Sequence, residues 1–85
     1  MKYKINQGFV TEKIDEKTII FDEDKSVLYT FNKTASYIFK KIKEGKKEKE
    51  ITNLLTKRYQ IKEDRAKRDV KSLISELLKN KIISF

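Results

Sequence analysis

The sequence predicts an α+β fold: a three-stranded antiparallel β-meander followed by three α-helices. Three observations carry this. Residues 1–32 hold three short runs rich in β-branched and aromatic residues. Beyond Asn32 the apolar residues recur at helical spacing instead. Strands followed by helices, rather than alternating with them, is the order of an α+β domain.

The strands are Phe9–Ile14, Thr18–Phe21 and Val27–Phe31. Asp15-Glu16-Lys17 separates the first pair and Asp22 to Ser26 the second. Loops this short join antiparallel neighbours, so a meander follows, with both outer strands keeping a free edge. Asn32 is a good N-cap for the first helix, with Thr34 as the second candidate. Ala35, Ile38, Phe39 and Ile42 then fall at i, i+3, i+4 and i+7. Gly45 supplies a left-handed residue to stop this helix. Ile51, Leu54, Leu55 and Tyr59 form the second amphipathic face, starting near Lys47 or Glu48. The third helix begins near Glu63, where two acids, Glu63 and Asp64, suit the positive end of the helix dipole. Its stripe is Ala66, Val70, Leu73, Ile74, Leu77 and Leu78, and Asn80 ends it. Ile82-Ile83 makes a short apolar tail, either an extra strand or a plug.

Eighty-five residues correspond to one domain, 1–85. With 38% hydrophobic residues the chain can enclose one core, but not a deep catalytic cleft with a lid. Cysteine and histidine are both absent, which removes thiolate chemistry, disulfides, Cys/His zinc sites and imidazole acid–base work. The two glycines, Gly8 and Gly45, cannot build a phosphate-binding loop. Serines and tyrosines have no base beside them in the sequence to activate them, and the acidic stretch Asp22 to Asp24 lacks the glycine and distal glutamate of a calcium loop. A non-enzymatic binding module with no cofactor and no metal is expected. No apolar run reaches the ~18 residues of a membrane span, and the opening residues to Gly8 lack a signal peptide's apolar segment. The expected location is cytoplasmic.

Charge is unevenly placed. Residues 1–32 carry five basic and six acidic groups, net −1; residues 33–85 carry sixteen and seven, net +9, together the +8 of the chain. Lys62, Arg65, Lys67, Arg68, Lys71, Lys79 and Lys81 decorate the third helix and its flanks. With the short Gln60-Ile61-Lys62 turn before it, this helix invites comparison with the reading helix of a winged-helix or helix-turn-helix DNA-binding protein. Lysine dominates, however, and it forks onto guanine less readily than arginine. The plain alternative is a solvated helix face. The third strand offers a different signal. Val27-Leu28-Tyr29-Thr30-Phe31 carries no charge, whereas exposed edges are usually guarded by lysine, proline or a bulge. At a sheet edge it is an open template for a guest strand.

The order of these pieces resembles the PqqD-like family. Val27 to Phe39 is similar to its "Y-x-L-N-x-T-A-x-x-I-W" segment, and Leu54 to Tyr59 to its "L-x-x-x-Y/F" helix. Gly45 matches the family's "D/E-G" after the first helix. Asp69-Val70 with Leu73, Leu77 and Ile82-Ile83 is similar to "D-V-x-x-F-L-x-x-L-x-x-x-G-L-I". The resemblance runs from about Thr18 to Phe85. Phe31 replaces the usual leucine, Phe39 the usual tryptophan and Lys81 a common glycine; Lys47 and Lys62 stand where a capping Thr or Asp is usual.

The resemblance implies a winged-helix-like RiPP recognition element. Such domains bind the leader of a ribosomal precursor peptide and present it to a modifying enzyme: a radical-SAM enzyme, a lasso leader peptidase or a cyclodehydratase. It also implies that the leader adds as a strand beside the third strand, in the cleft between that strand and the third helix. The expected peptide-binding residues are Val27, Leu28, Tyr29, Thr30 and Phe31 on the strand. Val70, Ile74 and Leu78 are expected to line the groove, and Lys67 and Lys71 to flank it and meet leader carboxylates. The alternative function is duplex DNA binding through the third helix.

Overall fold

The structure is a computed structural model that describes residues 3–85. The chain start at Met1 and Lys2, part of the opening judged above for a signal segment, lies outside the described residues.

Strand β1 (Lys4–Ile5) is followed by β2 (Phe9–Ile14), β3 (Lys17–Asp22) and β4 (Val27–Phe31). Helices α1 (Lys33–Lys43), α2 (Glu48–Tyr59) and α3 (Glu63–Lys79) come next, and β5 (Ile83–Ser84) closes the order. β2, β3 and β4 form an antiparallel sheet in sequence order, with Phe9 opposite Asp22 and Thr18 opposite Phe31. The meander is therefore present, and β2 and β4 are its edges. β3 extends one residue further at each end than its β-prone run, because the first hairpin turn takes only Asp15 and Glu16, with Asp15 left-handed (φ 56°). The second turn is held by the buried Asp22, whose Oδ1 accepts from the amides of Asp24 and Lys25, both at 3.1 Å.

The helix ends obey the local chemistry. Asn32 Oδ1 accepts from the Ala35 amide at 2.8 Å and caps α1. Gly45 (φ 84°) donates to Ile42 O and Lys46 to Lys41 O, so the last carbonyls are satisfied by a Schellman turn. Lys47 begins α2 with an ammonium that cannot accept, and only Glu50 returns a bond, from the Lys47 amide at 3.3 Å. Lys62 likewise gives α3 no side-chain cap. A second Schellman turn ends α3, with Ile82 N donating to Leu77 O and Lys81 N to Leu78 O. Here the left-handed residue is Lys81, at φ 59°.

One sheet face is buried along β3 and at the end of β4, while β2 beyond Phe9 is exposed. Thr18, Ile20 and Phe31 turn inward onto Ile38, Phe39 and Ile42 of α1, with Phe31 edge-on to Phe39 at 5.7 Å. α1 carries the packing onto the sheet, while α2 and α3 pack mainly on each other and on α1. The three helices thus do not share the sheet face equally, as their amphipathic stripes alone suggest. The Ile82-Ile83 tail is both plug and strand. Both side chains are buried, and β5 pairs antiparallel with β1, Ile5 opposite Ile83. β1 has no counterpart in the sequence reading. Asn6 fixes it: its amide donates to Ile82 O (2.9 Å), its Nδ2 donates to Lys81 O (2.7 Å), and its Oδ1 accepts from Ser84 Oγ (2.9 Å).

Candidate functional site

β4 reaches the sheet edge without a guard. Val27, Tyr29 and Phe31 share the inner face with their partners Asp22, Ile20 and Thr18; Leu28 and Thr30 share the outer face with Phe21 and Ile19. Phe31 is buried, Tyr29 is half-buried against the core, and Leu28 is 60% exposed. The other edge, β2, exposes Glu12 and Lys13, charges of the kind that deter strand addition. The two free edges are therefore chemically unlike, and only β4 is uncharged along its length.

A groove of about 300 Å³ begins where β4 ends. Asn32, Thr34, Ala35 and Ile38 form its α1 side. Arg65, Asp69, Ser72, Leu73 and Glu76 form its α3 side. Arg65 Nε and Asp69 Oδ2 stand 3.7 Å apart along the rim, an exposed pair worth little by itself. Leu73 supplies an apolar wall and is nearly buried.

The residues anticipated on α3 separate into two groups, neither on this groove. Val70 is fully buried and Ile74 nearly so, in the core cluster with Leu73 and Leu77; they pack the interior instead of lining a groove. Leu78 is half-buried and packs against the same cluster. Lys67 and Lys71 border another hollow, together with Tyr3 and Phe85. At 100° per residue their side of α3 is about 150° around the axis from the Arg65–Asp69–Ser72–Glu76 flank. The anticipated strand and the anticipated lysines are thus not brought together. The groove flank escaped the sequence reading because it is polar, and a polar stripe beside an apolar one reads as a solvated face. Its signal was the spacing 65, 69, 72, 73, 76, a continuous line along one border of the apolar stripe.

The titration shifts lie away from β4. Burial, and then the nearby Glu48 carboxylate, raise the Tyr3 phenol above its ordinary pKa. A hydrogen bond from Lys41 Nζ at 3.1 Å lowers the exposed Glu44 carboxyl. Among the described residues no cluster of three His, Cys, Asp or Glu side chains is placed to hold a metal ion, and no helix is long and apolar enough to cross a membrane.

No curated protein matches the sequence. Among solved structures, "Lasso peptide synthetase B1 complexed with the leader peptide" superimposes with a TM-score of 0.90 at 19% identity, covering 100% of both chains. "TbiB1 in Complex with the TbiA(beta) Leader Peptide" superimposes with a TM-score of 0.85 at 20% identity, covering 99% of this chain and 95% of that one. At this identity the likeness is one of fold, and it places the meander and three helices in the same architecture. The profile of the family described as "Coenzyme PQQ synthesis protein D (PqqD)" matches residues 17–83, from the first residue of β3 to the first of β5. With the free β4 edge, the Asn32 cap, the Gly45 turn and the buried Ile82-Ile83 tail falling inside that span, the chain belongs to the PqqD family.

Proposed function

We propose that this protein is a non-catalytic module that captures the leader of a ribosomal precursor peptide as a fourth strand on β4 and presents it to a modifying enzyme. The observation that carries the reading is the uncharged free edge of β4 opening at the α1–α3 groove. Membership of the PqqD family and the likeness to proteins solved with leader peptides support it. The proposed site is Val27 to Phe31 together with Arg65, Asp69, Ser72, Leu73 and Glu76.

The mechanism is β-augmentation. Five residues of β4 offer a ladder of roughly 17 Å. Main-chain bonds contribute about 1 kcal/mol each and carry little sequence information. Specificity comes from guest side chains on the inner face, which meet Tyr29, Phe31 and Leu73. Each buried apolar side chain adds about 1.5–3 kcal/mol, against about 1–2 kcal/mol for each leader residue ordered.

The test is amide hydrogen exchange on the full chain, with and without the leader of the precursor peptide encoded nearest this chain's gene. Protection should rise at β4 amides and at the Arg65–Glu76 flank, and stay unchanged at β2. Protection confined to β2, or to the Lys67 and Lys71 flank, contradicts the proposal.

A further inference from the structure

A hollow of about 620 Å³, roughly twice the volume of the α1–α3 groove, shares no residue with that groove or with β4. Lys47 and Lys49 enter it from the start of α2, and Lys67 and Lys71 from α3. Among the described residues none of these four ammonium groups has a carboxylate within ion-pair distance. Glu48 and Glu63 also line the hollow, so its charged side chains, four positive and two negative, sum to +2. Tyr3 and Phe85 line it with their rings 5.5 Å apart and tilted by 40°. Phe85 is 67% exposed, so most of its ring stays open beside Tyr3.

We infer that this hollow is a second docking site, which takes an acidic segment bearing an aromatic or leucine side chain. The inference rests on the leader-capture reading in one respect: the segment is assigned to the enzyme that receives the captured peptide. Charge complementarity sets its chemistry. The lysines need no internal partner displaced before they meet carboxylates. They stand in two rows, on α2 and on α3, with Lys67 and Lys71 about 6 Å apart along the helix axis. Two rows suit an extended chain better than one small anion. Glu48 and Glu63 line the same hollow and oppose a continuous phosphate backbone, while a peptide can place its carboxylates apart from them. Phe85 and Tyr3 receive the apolar side chain. The leader site lies on the opposite flank of α3, so both guests fit at once, as a presenting module requires.

The test titrates the isotopically labelled full chain with acetyl-Asp-Glu-Phe-Glu-Asp-Leu-amide as probe. The control probe has Asn and Gln in place of Asp and Glu. The amides of Thr52, Asn53, Lys67, Lys71 and Phe85 should shift saturably with the acidic probe and not with the control. Lys67→Glu combined with Lys71→Glu should weaken the probe about tenfold and leave leader affinity, measured on the same protein at high salt, as it was. Phe85→Ala should weaken the probe without changing the thermal transition by more than a few degrees. Shifts that fail to saturate, that spread over every lysine-bearing face, or that a random DNA duplex produces at lower concentration overturn the inference. A chain that binds leader on β4 but ignores the probe removes this inference alone. A chain that binds the probe here but no leader removes leader capture, and with it the assignment to a receiving enzyme; the acidic-segment site stands.

Discussion

Lys81 sits at φ 59°, a conformation that costs an L-residue roughly 1–2 kcal/mol. It does so because the Schellman turn after α3 must reverse the chain at once, to bring Ile82 under the helices and Ile83 against Ile5. Glycine adopts the same geometry without the side-chain clash, at some cost in unfolded-state entropy. Lys81→Gly should therefore raise stability by about 0.5–1 kcal/mol, read as a higher denaturation midpoint with an unchanged m-value; a lower midpoint contradicts the strain. Asn6 is the reverse case. Its side chain makes two bonds across the β1–β5 junction, to Lys81 O and from Ser84 Oγ. Asn6→Ala should cost about 1–3 kcal/mol at ~1 kcal/mol per bond, and a loss under 0.5 kcal/mol would show the junction is held by Ile82 and Ile83 alone. The Tyr3 phenol is raised first by burial and then by Glu48. The fold favours its protonated form, so that stability is present below the ordinary phenol value near ~10 and is lost as pH rises through the folded value. Above about pH 10 the wild type should lose stability faster than Tyr3→Phe; parallel losses contradict the shift.

Among the elements, β4 and α3 are the two that would hold a guest in the proposed capture. The α1–α3 groove takes side chains only if it stays open beside Ser72, which is exposed on it. Ser72→Trp should fill the groove, keep the helical spectrum and weaken leader binding about tenfold or more, since 1.4 kcal/mol is a factor of ten. Unchanged affinity would remove this flank from the site. The edge strand was legible in the sequence because an uncharged run of Val, Leu, Tyr, Thr and Phe has few other uses, and its bounds Val27–Phe31 are those of β4. Helices were legible from Asn32, Gly45 and the i, i+3, i+4 spacing. The α3 wall was not. Periodicity separates the buried stripe from the rest, which is why Val70 and Ile74 stood out, and it is also why they turn out to be core. It says nothing about which neighbour each polar flank of the helix meets. β1 was invisible for a related reason: two residues make no pattern, and the strand exists through Asn6 and its contacts more than seventy positions away.

At the scale of the whole molecule, the proposed capture has the net charge of +8 act at a distance rather than at the site. β4 is uncharged, and Lys67 and Lys71 lie on the far flank of α3 from the groove. The association rate for an acidic leader should fall with ionic strength while the dissociation rate stays nearly constant. A dissociation rate that climbs steeply with salt would place leader carboxylates in direct contact with lysines. The central claim, that a guest strand pairs with β4, is tested most directly by proline. It removes one main-chain donor and fixes φ. Leu28→Pro and Tyr29→Pro are made together as separate variants: the one whose N–H pairs with β3 should lose the fold, and the one whose N–H faces outward should keep its wild-type spectrum. In that folded variant leader affinity should fall about tenfold or more, one lost bond and a disturbed ladder at 1.4 kcal/mol per tenfold, while binding of the acidic probe is unchanged. A folded proline variant that holds the leader as tightly as the wild type contradicts strand addition on β4.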